Sequence, residues 1–275
     1  MKNGLLAQKK STESYLKKDK IFRVLVIAGF DPTAGGGILR DKFVFDYFRI
    51  YSVFVPTALT IQTTSGVFEV KKIEENFFKK NLEYIIKDIK PDGVKIGILP
   101  SFEQIKILKS FLKEIGEIKI VIDPISFSKN KFQLSVGALE IFKNFKNFKN
   151  VILTPNNEEW KEITQEEQQN EKQILNFLKK VKFKGKGIII KSFKKNSQYI
   201  YDVFVNFEKK EIYYYKRRLN KKFKITRGTG CLFSSAFLSL WIKNENLKDS
   251  FKKANIFLNK MVKKAKKIGK GNYLI

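Results

Sequence analysis

At 275 residues, 43% hydrophobic and 30% charged, the chain is long enough to bury a large core as one α/β domain. It has one cysteine and no histidine, which excludes an internal disulfide, the usual zinc sites and every histidine-based triad; carboxylate, lysine, thiol and backbone groups must carry any catalysis. The net charge of +28 invites a nucleic-acid reading, but only six of the 55 basic residues are arginine and the lysines are scattered over every segment, so no nucleic-acid partner is expected.

Residues 1–20, with Lys9, Lys10, Lys17, Lys18 and Lys20, read as a basic, solvated tail ahead of a single domain over 21–275. No stretch reaches the roughly 18 unbroken apolar residues of a membrane span, and Met1 to Lys20 lacks the apolar middle of a secretory signal. A reducing cytoplasm is the expected compartment.

Arg23 to Ala28 is a β-branched run without polar alternation, which suits a central strand covered on both faces. It ends in a glycine-rich loop, Gly29 to Gly37, that leads into a helical run from Ile38 to Ile50. Tyr51 to Thr60 is the next extended run and leads to Gln62. A helix from Glu74 to Lys90 precedes Pro91, Val94 to Leu99 is a strand, and Ser101 caps the next helix with Gln104 at the capping-box position. Strands follow at Ile118 to Ile122, Val151 to Leu153 and Ile188 to Lys191, with a helical pair between the last two. A hairpin, Tyr199 to Phe207 and Glu211 to Tyr215, turns near Lys209. The closing helix spans Lys248 to Ile268, with Phe251, Ala254, Leu258, Met261, Ala265 and Ile268 on one stripe. Strands alternating with helices predict a three-layer αβα sandwich around a mainly parallel sheet.

In parallel sheets the carboxyl ends of the strands share one edge, and polar residues just after successive strands converge there. Asp31 and Asp41 follow the first strand and Gln62 the second. Lys95 and Gly97 lie in the third, Asp123 ends the fourth, Asn156, Glu158 and Glu159 follow the fifth, and Lys191 ends the sixth. Gly228-Thr229-Gly230-Cys231, at the start of the apolar run Leu232 to Ile242, offers free backbone amides and a helix N-terminus, an anion cradle whose field also favours a Cys231 thiolate. Singly, each has a plain explanation: Asp123-Pro124 as a turn, Glu159 as a helix-start acid, Lys191 as a solvated strand end, the glycines as a turn before a core helix. Together, carboxylates, a lysine and an anion cradle on one edge suit phosphoryl transfer.

The blocks Ala28 to Asp41, Thr57 to Val67, Lys95-Ile-Gly, Asp123-Pro124, Thr154-Pro-Asn and Gly228 to Cys231 resemble, in order and spacing, the hydroxymethylpyrimidine/phosphomethylpyrimidine kinases of thiamine biosynthesis, members of the ribokinase-like superfamily. The resemblance spans Val24 to Ile268 and implies phosphorylation of 4-amino-5-hydroxymethyl-2-methylpyrimidine, then of its monophosphate, using ATP and Mg2+. It implies that Asp41 and Gln62 hold the pyrimidine with Gly29 against it. The amides of Gly228, Thr229 and Gly230 would form the anion hole, with Cys231 taking the hydroxymethyl proton. Lys191 would neutralise developing phosphate charge, Asp123 and Glu159 would arrange Mg2+, and Asn156, Thr226 and Arg227 would lie on the nucleotide side. The family is often dimeric. The chain departs from the family at Arg227, where histidine is usual and where an arginine could hold a phosphate, at Ser192-Phe193 in place of Gly-Gly, and at Phe30. A vitamin B6 kinase of the same superfamily is the nearest alternative, and a degenerate kinase acting as a basic nucleic-acid or membrane-surface binder is a further one.

Overall fold

The structure is a computed structural model, and it describes residues 20–166, 170–195, 198–219, 225–243 and 246–275. The expected tail therefore lies outside the described residues apart from Lys20. In chain order the elements are β1 (Arg23–Phe30), α1 (Gly37–Tyr47), β2 (Tyr51–Gln62), β3 (Val67–Lys72), α2 (Glu75–Asp88), β4 (Gly93–Ile96), α3 (Phe102–Glu114), β5 (Lys119–Ile122) and α4 (Ala138–Phe145). They continue with β6 (Val151–Leu153), α5 (Asn157–Thr164), α6 (Glu171–Lys180), β7 (Gly187–Lys195), β8 (Tyr199–Asn206), β9 (Glu211–Arg218), α7 (Thr229–Ile242) and α8 (Leu247–Lys264).

All these strands join one nine-stranded sheet in the order β3-β2-β1-β4-β5-β6-β7-β8-β9. The run from β2 to β7 pairs in parallel, and β3, β8 and β9 add antiparallel edges. Strand β1 shows why the sheet is covered twice. Leu25 and Ile27 pack into a core with α2 to α6, through residues such as Phe78, Leu108, Phe142, Trp160 and Ile174. Val24, Val26 and Ala28 point the other way, into a core built on α1, α7 and α8. Period-two side chains on an apolar strand feed both layers, the expected sandwich. From β1 the chain goes first to β2 on one side and later to β4 on the other, which opens a crevice above the carboxyl ends of β1 and β4.

Helix α7 is buried on every side from Cys231 to Ile242, which is why its sequence carries no polar stripe. Several local expectations change. β3 and α4 had no counterpart in the sequence reading. β4 stops at Ile96 rather than Leu99, and α8 stops at Lys264, so Ile268 is 70% exposed and leaves the predicted stripe. Ser101 does accept from the Gln104 amide, but the Gln104 side chain donates to the backbone oxygens of Thr57 and Ile73, tying α3 to β2 instead of closing the box. Among the described residues, no helix is long and apolar enough to cross a membrane.

Candidate active site

A cavity of about 470 Å³ opens above the carboxyl ends of the parallel strands, a volume suited to small ligands. Every residue singled out as a candidate lines it except Asp41, Thr226 and Glu158, whose side chain is 83% exposed beside Lys161.

The glycine loop after β1 and the start of α7 interlock. Gly228 sits in the left-handed region at φ 70°, and a Cβ there would fall 1.9 Å from the Gly35 oxygen; at Gly37, φ 56°, it would fall 2.1 Å from the Gly29 oxygen. Only glycine permits either approach. Helix α7 has no side-chain cap, and its first backbone bond runs from the Leu232 amide to Gly228 O at 2.9 Å. The amides of Thr229, Gly230 and Cys231 thus have no intrahelical partner, an open helix start one residue on from the Gly228, Thr229 and Gly230 amides named from the sequence.

Cys231 is 6% exposed in that first turn. Burial pushes its thiol up to about 11, with Lys95 and the Gly37 amide pulling down and the carboxylates of Asp41 and Asp123 pushing further up. The helix field that favoured a thiolate on sequence grounds is therefore outweighed by desolvation.

Asp41 lies beneath the cavity wall at 0% exposure, with Oδ2 2.9 Å from Lys95 Nζ and Oδ1 accepting from Ser235 Oγ at 2.7 Å. Both its oxygens are thereby engaged by protein, and the group that reaches the cavity from this pair is Lys95. Burial acts to lower the Lys95 ammonium, but the charges of Asp41 and Asp123 and the hydrogen bond to Asp41 outweigh it, so Lys95 stays protonated. In the sequence Lys95 stood among the strand-end residues and in the Lys95-Ile-Gly block, a lysine inside an apolar strand, a position that a bare lysine does not occupy without a partner.

Across the cavity, Lys191 Nζ lies 2.5 Å from Asp123 Oδ1, which also accepts from Thr154 Oγ1 at 3.2 Å. Gly230 presses on this pair: a Cβ there would sit 3.1 Å from Asp123 Oδ2 and 3.2 Å from Lys191 Nζ. Glu159 is the N3 residue of α5 in a capping box, its Oε2 accepting from the Asn156 amide at 2.7 Å while Asn156 Oδ1 accepts from the Glu159 amide at 2.9 Å. The plain reading of Glu159 as a helix-start acid thus holds, and Asn156 acts as the cap. Burial pushes the Glu159 carboxyl up to about 8, with Lys191 opposing and Asp123 reinforcing.

No group of three or more metal-ligating side chains occurs among the described residues, so the site is no all-protein cage. Yet Asp123 Oδ2 is buried without a hydrogen-bond partner among the described residues, and Glu159 is close enough for its charge to be felt. One open carboxylate oxygen with a second carboxylate nearby fits Mg2+, which keeps waters and phosphate oxygens as its other ligands.

The residues placed on the nucleotide side separate. Thr226 is buried, pairs with Tyr273 in a short bridge and accepts from Lys129 Nζ through its backbone oxygen. Burial, then the Arg227 charge, brings the Lys129 ammonium down to about 8. Arg227 reaches Gln62 Oε1 at 2.9 Å and the Thr63 backbone oxygen, so it joins the Gln62 end of the cavity. Sequence reasoning also missed the buried group in which Arg217 pairs with Asp202 and bonds Asn255, while Asp202 Oδ1 accepts from the Ser192 amide at 2.6 Å. The Ser192 that replaces glycine, at φ 55° in a bulge of β7, is its only sequence trace.

Comparison with known proteins agrees with this geometry. The family described as "Phosphomethylpyrimidine kinase" matches residues 31–275. A hydroxymethylpyrimidine/phosphomethylpyrimidine kinase of Aquifex aeolicus is 34% identical over 251 residues, covering 90% of this chain and 96% of its own. Among solved structures, a phosphomethylpyrimidine kinase of Clostridium difficile 630 superposes with a TM-score of 0.71 at 27% identity, over 88% of this chain and 99% of that one. A pyridoxal kinase of Staphylococcus aureus in complex with AMP-PCP gives 0.80 at 22% identity over 94% and 93%, a likeness of fold. A cradle, a cavity and a matched sequence on one chain lead to the same place: the chain belongs to the phosphomethylpyrimidine kinase family and has the ribokinase-like fold.

Proposed function

We propose that the chain phosphorylates 4-amino-5-hydroxymethyl-2-methylpyrimidine and then its monophosphate, with ATP as donor, in thiamine biosynthesis in the cytoplasm. The observation that carries this reading is one cavity with two unlike ends. At one end the open amides of Thr229 to Cys231 meet the Asp123–Lys191 pair; at the other lie Gln62 and Gly29.

In this reading Gln62 offers both a donor and an acceptor to the aminopyrimidine edge, with the ring against Gly29. Asp41 works from behind the wall by keeping Lys95 charged and fixed. The amides of Thr229, Gly230 and Cys231, one residue on from the Gly228, Thr229 and Gly230 set that the resemblance implied, receive the phosphoryl group, and Lys191 neutralises charge on its equatorial oxygens. Asp123 and Glu159 would hold Mg2+, which screens the phosphates and orients them when bound. Asn156 and Thr226 contribute to the nucleotide side by fixing backbone, the first as the cap that holds Glu159. Cys231 takes the hydroxymethyl proton in the first step. A thiol near 11 supplies a thiolate about once in ten thousand molecules at neutral pH, so that step gains rate wherever thiolate gains population. The reading includes association of two copies and no nucleic-acid partner.

Steady-state ADP release from Mg-ATP with hydroxymethylpyrimidine or pyridoxal as acceptor tests the reading. Turnover with a kcat/KM at least about tenfold higher for the pyrimidine is expected. Preference for pyridoxal would replace the reading with a vitamin B6 kinase, and no turnover of either would end it.

A further inference from the structure

Arg227 stands immediately before the cradle, yet its side chain turns away from it. Its NH2 donates to Gln62 Oε1 at 2.9 Å, its NH1 donates to the Thr63 backbone oxygen, and its own amide donates to Tyr273 O at 3.0 Å. A single guanidinium thus spans from the cradle to the end of β2, and its backbone is anchored by a third segment.

The chemistry of the contact fixes more than position. A guanidinium has donors and no acceptor, so the face that a side-chain amide turns toward it must be the oxygen. Turning Gln62 over would set its NH2 donors against guanidinium donors and leave both unsatisfied in a half-buried site. An untethered glutamine presents either edge to a ligand with little preference. This one keeps Nε2 and the second lone pair of Oε1 for whatever enters the cavity.

We propose that Arg227 is a positioning residue for substrate choice. It pins the Gln62 amide so that the cavity takes a ring edge bearing an acceptor beside an amino donor, in preference to one bearing a single hydroxyl. The acceptor of the first edge meets Nε2 and its amino group meets Oε1. A lone hydroxyl must donate to Oε1 and accept from Nε2 through one atom, which bends both bonds away from the in-line geometry that two separate groups allow. The inference rests on the pyrimidine-kinase reading above, and it takes Arg227 away from the phosphate-holding role that its place in the sequence suggested.

The test is a double-mutant cycle, Arg227→Met and Gln62→Ala singly and together, read by steady-state kinetics on full-length protein with hydroxymethylpyrimidine, pyridoxal and ATP each varied. Arg227→Met is expected to raise the pyrimidine KM about tenfold, to lower kcat less than about threefold and to leave the ATP KM within about twofold. Discrimination against pyridoxal should fall by the same factor. In the Gln62→Ala background the substitution should have no further effect on the pyrimidine KM. Equal rises of that KM in both backgrounds, or a rise mainly in the ATP KM, overturns the proposal. Arg227→Lys keeps one donor and covers the case in which the methionine variant fails to fold; a pyrimidine KM about threefold up with the ATP KM unchanged supports the proposal, and the reverse pattern overturns it. A wild-type protein inert toward the pyrimidine removes both this inference and the reading beneath it. An active wild type with an additive cycle removes the inference alone.

Discussion

Burial raises both the Cys231 thiol and the Glu159 carboxyl, and each makes the chain sensitive to pH in a way that can be separated from the other. If the Cys231 thiolate accepts the hydroxymethyl proton, the first phosphorylation should speed up about tenfold per pH unit across the neutral range, with no plateau until the pH nears 11. The second step, whose acceptor is already an anion, should be nearly flat. Cys231→Ser should slow the first step by at least about a hundredfold and abolish that slope while sparing ATP affinity. Rapid single-turnover measurements of each step at several pH values check this; a flat first step would show the thiol to be a packing residue. Glu159 bears on stability rather than on rate. Its carboxyl is raised from 4.5 to about 8 in the fold, so between those values the unfolded chain has lost a proton that the folded chain keeps. Stability therefore falls as pH rises through that window and levels off above it. Glu159→Gln retains an acceptor for the Asn156 amide and cannot ionise. Its melting temperature should match wild type near pH 4.5 and exceed it increasingly toward pH 8, without added Mg2+; a constant offset would contradict the assignment.

At the scale of elements, the site depends on local departures from regular structure. Strand β7 bulges between Ile190 and Lys194, with Ser192 at φ 55°, and the Asp202–Arg217 pair holds the Ser192 amide there. That geometry aims Lys191 toward Asp123. A left-handed serine costs about 1 kcal/mol that glycine would not. Ser192→Gly, which keeps the amide bond, should raise the melting temperature by about 2 °C with activity retained, whereas Ser192→Val should lower both; a glycine variant that melts lower would contradict the strain. The elements that were legible in sequence are those whose apolar runs are continuous, such as β1 with both faces buried, and α8 with its stripe. Those missed lack that signal. β3 exposes Phe68, Glu69, Lys71 and Lys72 at the sheet edge, and α4 follows an N-cap glycine, Gly137, with no side-chain cap to announce it. The Gln104 expectation failed because a buried amide found two backbone oxygens that outcompeted the cap.

Across the whole molecule, strand order brought the distant parts of the site together. The reversal at β1 sets the Gly29 loop, Lys95 and the start of α7 around one crevice, and the strand-end rule made Asp123, Glu159, Lys191 and the cradle legible before any coordinates. What that rule could not supply was which end each residue serves. Asp41 proved to stand behind Lys95, and Arg227 to reach Gln62 across 165 positions, because pairings between buried charges and across the crevice leave no periodic trace in the chain. The surplus of lysine is spread over every segment of the chain and singles out no one face. The central claim is that one cavity serves two successive phosphoryl transfers to the same pyrimidine. Mass analysis of the products formed over time from hydroxymethylpyrimidine and Mg-ATP tests it most directly. The account predicts the monophosphate first and the diphosphate after it, with Cys231→Ser delaying only the first; a monophosphate that never proceeds, or pyridoxal phosphate formed where the pyrimidine is left untouched, would contradict it.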